Sequence, residues 1–398
     1  MNVSSTTPNK ALSVPLPLAY DAKRDLVWLV FRPWIWLHRV LEIFISLSIL
    51  TFRLLIQGSS QDERVHQSLA KQLLDTLTNL GPCFIKVGQA LSTRPDLIRK
   101  DWLEELTNLQ DNLPPCSHKK ALEIIQEELG KKPNELFLDF PDKPIASASL
   151  GQVYKAKLAN DYWVAVKVQR PNLEFIIRRD LVLIRLMCLF TSPFLPLNLG
   201  VGLDEIIDEF GSKLFEEIDY EIEAKNAEKF SKLFENNSVI TIPKVERLFS
   251  SRKVITTSWI NGTKLKSREE LINNSLDPSA IIRTGVTSAI QQLLEFGYFH
   301  ADPHPGNMFA LKGQGKASEK GQLAYVDFGM MDEISEKDRL TLTGAIVHLI
   351  NKDFQSLAID FQSLGFLSQE KDPSPIAPVL EEVLGGSLGE EVINFNFK

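Results

Sequence analysis

The chain has 398 residues, of which 44% are hydrophobic and 24% are charged. This length exceeds one typical domain, and the composition is that of an ordinary globular protein, which argues against disordered and fibrous classes. The formal net charge of −7 argues against nucleic acid as a partner, because a surface that follows a phosphate backbone carries a basic excess. Cys83, Cys116 and Cys188 are odd in number and lack metal-ligand spacing, which predicts a reducing compartment without disulfides or a zinc site.

Residues 1–25 are predicted to form a flexible tail. The first 20 positions are rich in Ser, Thr, Pro and Asn and show no amphipathic periodicity. Such a segment buries too little apolar surface to offset the entropy of ordering it. We therefore expect no functional residues in this part of the chain.

Residues 26–60 are abruptly apolar and amphipathic. Three of the six tryptophans stand at positions 28, 34 and 36, with arginines among them, a pattern typical of a segment in the headgroup region of a bilayer. The longest charge-free stretch, residues 43–52, is too short to cross a membrane, since a crossing takes about 20 residues. We predict a segment that lies on a membrane. The alternative is a helix packed on the protein's own body.

Residues 61–135 show a helical pattern. Apolar residues recur at steps of three and four between positions 69 and 91, and Gly81-Pro82 interrupts them. Two helices are expected on either side of this break, with Lys86-Val87-Gly88-Gln89 near the start of the second. Further helices are predicted at residues 102–109 and 119–129.

Residues 136–262 combine strands with helices. Residues 149–156 and 163–168 are rich in β-branched or aromatic side chains and are joined by turn residues, which predicts a hairpin. Two helical stretches follow, residues 173–190 and 203–233, and then two predicted strands, residues 245–249 and 253–259. Residues 263–398 are mostly helical, most clearly at 281–296 and 338–349, with a polar loop at 313–321.

Three polar residues have the order and spacing of a phosphoryl-transfer site. Asp302 and Asn307 are five positions apart, as in the catalytic loop whose Asp accepts a hydroxyl proton and whose Asn binds metal. Asp327 opens Asp-Phe-Gly directly after a short apolar run, as the Mg²⁺-binding Asp of kinases does. The alternative for Asp302 and Asn307 is a turn held by side-chain hydrogen bonds between two prolines, but it leaves Asp327 unexplained.

Lys167 is the predicted contact to the ATP phosphates. It ends an apolar run, where an ammonium group is costly to bury without an anion. A phosphate and a glutamate would both serve, and Glu223 is the best glutamate because it lies in a predicted helix after the hairpin. The alternative is that the acidic run at residues 216–223 lies on a solvent-exposed helix face and has no role in catalysis. Asp302, Lys167 and Glu223 are thus the candidate catalytic residues.

A loop of small residues precedes Lys167 where ordinary kinases have G-x-G-x-x-G-x-V. This chain has alanines at the first two glycine positions. A Cβ limits close backbone approach to phosphate, so we expect nucleotide placement to differ from that in ordinary protein kinases. The candidate nucleotide-binding residues are Ala146, Ser147, Ala148, Ser149, Gly151, Val153 and Lys167, with Ser258 and Ile260 from a predicted hinge at residues 256–262.

Together these motifs resemble the UbiB/ADCK family of atypical protein-kinase-like proteins. The resemblance covers about residues 69–349. Besides the small-residue loop, Lys167 and Asp-Phe-Gly, it rests on the K-x-G-Q motif at residues 86–89 with the Leu-Ser-Thr-Arg-Pro-Asp run at 91–96, E-x-D at 217–219, Glu-Ala-Lys-Asn at 223–226 and His-Ala-Asp-Pro-His-Pro-Gly-Asn at 300–307. The chain departs from the family at Ser258 and Asn261, where we expect acidic residues, and it stops at Lys398, where many relatives continue.

The resemblance implies an α+β, two-lobed protein-kinase-like fold. Residues 61–135 would be an added helical segment that carries the K-x-G-Q motif, residues 136–262 an N-lobe with inserted helices, and residues 263–398 a C-lobe, either entire or truncated. The motif would cover the site that is open to peptides in protein kinases, with Lys86 engaging Glu217 and Asp219. Lys86, Gln89, Glu217 and Asp219 are therefore the candidate regulatory residues.

The resemblance also implies ATP and Mg²⁺ as cofactors, with Asn307 and Asp327 as the metal ligands. Family members support prenylquinone and other isoprenoid-lipid metabolism, so the expected function is an atypical kinase or ATPase, peripheral on the cytoplasmic or stromal side of a membrane. Membrane lipids and isoprenoid-lipid biosynthetic enzymes are the expected partners. The alternatives are a nucleotide-binding scaffold or lipid-extraction factor, and a protein Ser/Thr kinase. The oligomeric state stays open.

Overall fold

The computed structural model describes residues 19–58, 60, 62–92, 98–107, 109, 113–159, 161–192, 202–265, 267–313, 321–369 and 372–385. Most of the predicted tail, residues 93–97 after the K-x-G-Q motif, residues 314–320 of the predicted polar loop and the end of the chain from 386 lie outside these ranges. The chain divides into two compact units. The first comprises Met1–Ile222 with Arg247–Thr256, and the second comprises Glu223–Glu246 with Thr257–Lys398. The lobe boundary expected near residue 262 stays a prediction.

The first unit is mainly helical. Its helices are α1 (Ala22–Val30), α2 (Pro33–Gln57), α3 (Glu63–Leu80), α4 (Pro82–Ser92), α5 (Lys100–Thr107), α6 (His118–Leu129), α7 (Pro133–Leu136), α8 (Leu173–Thr191), α9 (Leu203–Glu217) and the start of α10 (Tyr220–Leu233). The break predicted at Gly81-Pro82 is confirmed. Gly81 has φ +92° and ends α3, a backbone conformation that suits glycine, and Pro82 begins α4.

The predicted hairpin is also confirmed. Strands β2 (Gly151–Lys157) and β3 (Trp163–Gln169) pair antiparallel, with Val153 opposite Lys167. They belong to a four-stranded sheet of order β1-β2-β3-β5, in which β1 is Ala146–Ser147 and β5 is Val254–Ser258. Buried valines and Tyr154 from this sheet pack with Ala121 and Ile125 of α6 to form one apolar core.

Two element predictions in this region were wrong in detail. Residues 245–249 are not a strand, because Arg247–Phe249 form a 3₁₀ turn and Val245 makes only an isolated bridge to Thr257. The apolar residues 245, 248 and 249 have helical rather than alternating spacing, which suits a turn better than a strand. The single helical stretch predicted over 203–233 is two helices, because the chain turns between Glu217 and Tyr220.

Helix α2 has one packed face and one exposed apolar face. Arg39, Ile43 and Leu50 are buried on the packed face. The exposed face carries large apolar side chains at steps of three and four: Trp34, Leu37, Leu41, Phe44, Ile45, Ile49, Phe52, Leu55 and Ile56. Among the described residues, α2 is the one helix long and apolar enough to cross a membrane by length and composition alone. The apolar length of this segment therefore exceeds its longest charge-free stretch, residues 43–52.

The second unit contains the rest of α10, two sheets and a helical end. One sheet has the order β4-β9-β8-β6 and the other pairs β10 with β7, where the strands are β4 (Ile240–Thr241), β6 (Thr263–Lys264), β7 (Tyr298–His300), β8 (Met308–Leu311), β9 (Gln322–Tyr325) and β10 (Met331–Glu333). The helices are α11 (Arg268–Asn273), α12 (Pro278–Ile290), α13 (Glu336–Ile350), α14 (Phe354–Ser363) and α15 (Ala377–Gly385). The helix predicted at 281–296 is confirmed, but Gln291–Phe296 is a π-helical turn.

Candidate functional site

In the second unit, Asp302, Asn307 and Asp327 are brought together at the end of a strand pair. Strand β8 starts directly after Asn307 and pairs antiparallel with β9, which ends two residues before Asp327. The N–H of Val326 donates to the carbonyl of Asn307 at 3.0 Å. The Asn307 amide in turn donates to the carbonyl of Asp302 at 3.2 Å and lies 3.4 Å from its carboxylate Oδ2. Residues that are distant in sequence thus share one small polar region.

His300 connects the two aspartate loops. Its Nδ1 accepts the backbone N–H of Asp302 at 3.1 Å, and its Nε2 lies 2.7 Å from the carbonyl of Asp327. Since Nδ1 accepts and a carbonyl can only accept, Nε2 must carry the proton, and the neutral ring satisfies both contacts. The imidazole is buried. His300 therefore fixes the loop of Asp302 relative to that of Asp327.

Gln292 is a supporting residue that sequence reasoning missed. It is 3% exposed, lies in the π-helical turn, and accepts the N–H of His300 at 2.9 Å through Oε1. Its amide nitrogen donates to Ser288 and lies near the Tyr325 hydroxyl. π-helical turns frequently mark functional sites because they redirect a side chain. Nothing in the sequence distinguishes Gln292 from the other polar residues of this helix, such as Gln291 and Ser288.

The oxygen donors of Asn307 and Asp327 fit Mg²⁺. This hard cation takes oxygen ligands, and in nucleotide sites it is held by one or two protein groups together with phosphates and water. In the described part of the chain, no cluster of three or more His, Cys, Asp or Glu side chains is arranged for a metal ion. A site built from one carboxylate, one amide and a nucleotide does not require such a cluster. The Oδ1 atom of Asp327 already accepts the N–H of Gly329 at 3.0 Å, which orients the carboxylate.

Glu223 belongs to the same unit, on helix α10. It is 4% exposed, whereas Glu216 and Glu221 in the same acidic run are exposed. Asn226, one turn further on, donates to the carbonyl of Phe328 at 3.0 Å. Because positions i and i+3 share a helix face, Glu223 lies on the face of α10 that contacts the Asp-Phe-Gly segment. The alternative that the acidic run lies on a solvent-exposed helix face therefore fails for Glu223. It holds for Glu216 and Glu221, which are exposed.

In the first unit, the small-residue loop joins β1 to β2. Strand pairing sets Ala146 opposite Val153, and Val153 lies opposite Lys167 on β3. The N–H of Ala148 donates to the carbonyl of Gly151 at 2.8 Å and closes the loop, while Ser149 is buried. The Lys167 ammonium lies 5.1 Å from the centre of the Tyr220 ring. The predicted loop and the predicted phosphate-binding lysine are therefore neighbours in one sheet.

Arg170 is a second residue that sequence reasoning missed. Its guanidinium donates to the carbonyl of Ala148 at 2.9 Å, to the carbonyl of Pro114 at 2.7 Å and to the hydroxyl of Ser147 at 3.1 Å. Burial lowers the pKa of Arg170. One side chain thus ties the small-residue loop to the segment between α5 and α6. In the sequence, the only sign of this role was that Arg170 stands just after a predicted strand.

We expect Gly151→Ala to destabilise the first unit by about 1–3 kcal/mol, the usual cost of overpacking. A Cβ at this position would lie 2.8 Å from the backbone oxygen of Val168 and 2.4 Å from the Tyr220 hydroxyl. Thermal unfolding measures the effect. Gly344→Ala is the matched control, because a Cβ there meets nothing within 4 Å in helix α13, and alanine should stabilise that helix slightly. Equal melting temperatures for the Gly151 variant and the wild type would contradict the close approach.

The K-x-G-Q residues lie on α4. The Lys86 ammonium forms an ion pair with Glu217 at the end of α9, and Gln89 donates to the carbonyl of Leu109 at 2.9 Å. Asp219 stands between α9 and α10, where its Oδ1 accepts the N–H of Glu221 at 3.0 Å. The structure therefore pairs Lys86 with one of the two predicted carboxylates and gives Asp219 a contact at the start of α10.

The predicted hinge residues lie in the second unit. Ser258 ends β5 and exchanges two hydrogen bonds with the backbone of Lys244, at 2.8 and 2.9 Å. Ile260 is half-buried two residues later. The predicted roles of Ser258 and Ile260 in nucleotide binding stay predictions. Lys167 belongs to the first unit and Glu223 to the second, so their predicted pairing stays a prediction.

Comparison with known proteins identifies the relatives of this chain. A family model described as the ABC1 atypical kinase-like domain matches residues 108–360. An uncharacterized protein of Synechocystis sp. is 50% identical over 380 residues, which are 95% of this chain and 66% of that protein. The Arabidopsis thaliana protein named ACTIVITY OF BC1 COMPLEX KINASE 1, chloroplastic, is 43% identical over 352 residues, 88% of this chain and 50% of that protein. The chain thus spans about half to two thirds of these relatives.

A solved structure supports the same relationship. The structure of Rv3197 from Mycobacterium tuberculosis in complex with erythromycin is 27% identical, with a TM-score of 0.55 and coverage of 82% of each chain. The family model spans more than half of this chain, and with it the predicted kinase-like fold of mixed helices and sheets with an N-terminal helical segment is confirmed. The chain belongs to the ABC1 family of atypical kinase-like proteins, the UbiB/ADCK family that its motifs resemble.

Proposed function

We propose that this chain is a Mg²⁺- and ATP-dependent atypical kinase or ATPase that supports prenylquinone or other isoprenoid-lipid metabolism at a membrane. The observation that carries the proposal is the polar cluster in the second unit, where Asp302, Asn307 and Asp327 are linked through His300. Membership of a kinase-like family supports it. A turn held by local hydrogen bonds would explain Asp302 and Asn307 alone, but not the strand pair and imidazole that add Asp327 to them.

Each residue has a defined task in this proposal. Asn307 and Asp327 would hold Mg²⁺, which supplies charge neutralisation of the phosphates when it is bound. Asp302 orients the attacking hydroxyl or water and accepts its proton. Lys167 and the loop at Ala146–Gly151 contact phosphate oxygens, Glu223 is the carboxylate partner assigned to Lys167, and Ser258 with Ile260 contact the base.

The acceptor is proposed to be water or a small molecule rather than a peptide. The ion pair between Lys86 and Glu217 anchors the K-x-G-Q helix within the first unit, and in the family this segment is expected to cover the peptide site. Among solved relatives, the mycobacterial protein was captured with erythromycin, a small molecule. A protein Ser/Thr kinase is therefore the less favoured enzyme.

The test is Mg²⁺-dependent ATP turnover by the purified chain, with and without liposomes that contain isoprenoid lipids. We expect turnover that requires Mg²⁺ and rises with membranes. Absence of turnover under all conditions, with nucleotide binding intact, would instead favour the nucleotide-binding scaffold. In cells, a scaffold predicts that Asp302→Ala preserves function while Lys167→Ala abolishes it, whereas an enzyme requires both residues.

Membrane association is proposed to occur through the exposed face of α2. This face presents large apolar side chains to solvent, while the opposite face packs on the protein. A helix with one buried face fits the interface of a bilayer better than its interior. The proposed location is the cytoplasmic or stromal side of the membrane, and the chloroplastic relatives support a plastid location. The proposed partners are membrane lipids and isoprenoid-lipid biosynthetic enzymes.

The double variant Phe44→Ser/Leu55→Ser is expected to weaken liposome binding by at least about tenfold, because each large apolar side chain contributes roughly 1.5–3 kcal/mol when buried. Both side chains are mostly exposed, at 67% and 78%, so folding should be unaffected. Flotation with liposomes measures binding. Phe190→Ser/Leu248→Ser makes the same chemical change outside α2, at side chains that are 75% and 91% exposed, and should bind as the wild type does. Equal losses in the two double variants would rule out α2 as the docking face.

A further inference from the structure

A cavity lies entirely within the first unit, and none of the proposed phosphoryl-transfer residues lines it. Its volume is about 790 Å³, within the range of sites that hold small molecules. The walls come from the α1–α2 junction, from α6, and from the segment that leads from β3 into α8. No role has so far been assigned to it.

The charge of the cavity wall is predominantly basic. Six basic and three acidic side chains line it. Of the acidic ones, Glu174 is already engaged by Arg178 at 3.1 Å and by Arg252 at 3.2 Å, while Glu123 and Glu127 are exposed on α6. The excess of positive charge favours an anionic occupant.

Three of the cations lack an acidic partner. Within the described ranges, no carboxylate lies within ion-pair distance of Arg32, Lys120 or Arg170. Arg32 donates to the carbonyl of Trp28 and stacks on its ring, with 5.2 Å to the centroid, and Arg170 donates only to neutral oxygens of the small-residue loop and Pro114. Cations that converge on one cavity without a counter-ion are a favourable setting for a phosphate.

The first turn of α8 adds further donors. Leu173, Glu174 and Phe175 line the cavity, and the Asn172 side chain makes no capping hydrogen bond. The amides at the start of a helix have no acceptor within the helix, and the helix dipole is positive there. An anion at this end of the cavity would meet both the amides and the cations.

The remaining wall is apolar. Trp28 and Phe175 meet edge to face with 5.7 Å between their centroids, and Ile35 and Ile124 extend the apolar surface. We propose that this cavity binds an amphipathic phosphate, with the phosphate at Arg32, Lys120 and the start of α8 and the apolar body against Trp28 and Phe175. A lipid headgroup in a bilayer and a soluble alkyl phosphate share this chemistry. Trp28 and Ile35 flank the junction from which the apolar face of α2 begins, so a membrane lipid can reach the cavity.

Binding of dihexanoyl phosphatidic acid, a soluble amphipathic phosphate, tests the proposal by titration calorimetry. We expect saturable binding that Arg32→Gln/Lys120→Gln weakens by at least about tenfold, because the variant removes two charge-assisted contacts to the phosphate. Lys71→Gln/Lys337→Gln removes the same charge at exposed positions outside the cavity and should bind as the wild type does. Because Lys120 is exposed, Lys120→Gln alone should weaken binding without any effect on folding.

Two further experiments test whether the ligand has an apolar part and whether it comes from a bilayer or from solution. Phe175→Gln should weaken phosphatidic acid but leave the weak binding of inorganic phosphate unchanged, because only the amphiphile uses the apolar wall. Flotation with vesicles of phosphatidylcholine and phosphatidic acid should fall in the Arg32/Lys120 variant if the ligand is drawn from a bilayer, and stay unchanged if it is taken from solution. No saturable binding to the wild type, or equal losses in the two double variants, would overturn the proposal.

Discussion

Replacing Asp327 by Asn is expected to lower Mg²⁺-dependent ATP turnover by at least about a hundredfold, the order found when one preorganised electrostatic contact is removed from an active site. The change removes the one full negative charge assigned to the metal. The Asn side chain keeps an oxygen at Oδ1 that can still accept the N–H of Gly329. The contact of the Asp327 carbonyl with His300 involves only the backbone and also persists. The loop should therefore keep its conformation while losing metal affinity.

The matched control for this experiment is Asp75→Asn. Asp75 is exposed on helix α3, so its replacement changes the net charge equally without touching the cluster. Turnover should be that of the wild type, and raising the Mg²⁺ concentration should partly restore turnover in the Asp327 variant only. Wild-type turnover by Asp327→Asn at low Mg²⁺ would remove Asp327 from the metal site and leave the kinase-like chemistry without its central ligand.

The sequence predicted the elements and motifs whose signals are local. The hairpin that carries Lys167 follows from alternating β-branched residues and turn chemistry, and the break between α3 and α4 follows from Gly81-Pro82. The strand before Asp327 was marked by a short apolar run. Each of these signals lies within about ten residues of the element that it predicts, so no knowledge of the tertiary structure is needed.

The contacts that hold these residues in place were not predictable in the same way. His300 stands in a recognised motif, but its bond to the Asp327 carbonyl joins positions 27 apart. Gln292 acquires its role from a π-helical turn, which has no sequence signature that we could read. Arg170 fixes the loop at Ala148 across 22 residues and reaches Pro114 across 56. His300, Gln292 and Arg170 are polar residues next to apolar elements. The sequence alone allows many different hydrogen-bond partners for each of them, and only the folded chain selects one set.

Arg39 shows the same limitation in the segment proposed to meet the membrane. From the sequence it was one of several arginines expected near lipid headgroups. In the structure it is 6% exposed and donates from Nε and Nη2 to Asp180 of α8, at 3.1 and 2.7 Å, across 141 residues. Burial disfavours the guanidinium charge, but the hydrogen bond and charge of Asp180 outweigh it and raise the pKa of Arg39. Helix α2 is therefore anchored to the body of the first unit by a buried ion pair.

We expect Arg39→Met to destabilise the first unit by about 3 kcal/mol, the lower end of the range for breaking one partner of a buried ion pair. The variant leaves the fully buried Asp180 carboxylate with Arg179, which donates at 2.8 Å, and this remaining contact limits the loss. The double variant Arg39→Met/Asp180→Leu should recover most of the stability, because it removes the buried carboxylate together with its buried partner. The lost contact of Arg179, whose side chain is 17% exposed, limits the recovery. Denaturant unfolding with a double-mutant cycle measures the coupling between the two residues.

Arg53→Met is the control that tests whether the ion pair between Arg39 and Asp180 anchors α2 to α8. Arg53 lies on the same helix but donates to neutral groups, chiefly Gln72 at 2.8 Å, so its loss should cost about 1 kcal/mol or less. If the Arg39 and Arg53 variants are equally stable, α2 is not anchored to α8 and its length and apolar composition allow it to insert into a bilayer independently. If Arg39→Met is the more destabilised and the double variant recovers, the apolar face of α2 is held at the surface of a folded unit. A membrane contact through this face then positions the whole first unit, including the loop that Arg170 holds, at the bilayer.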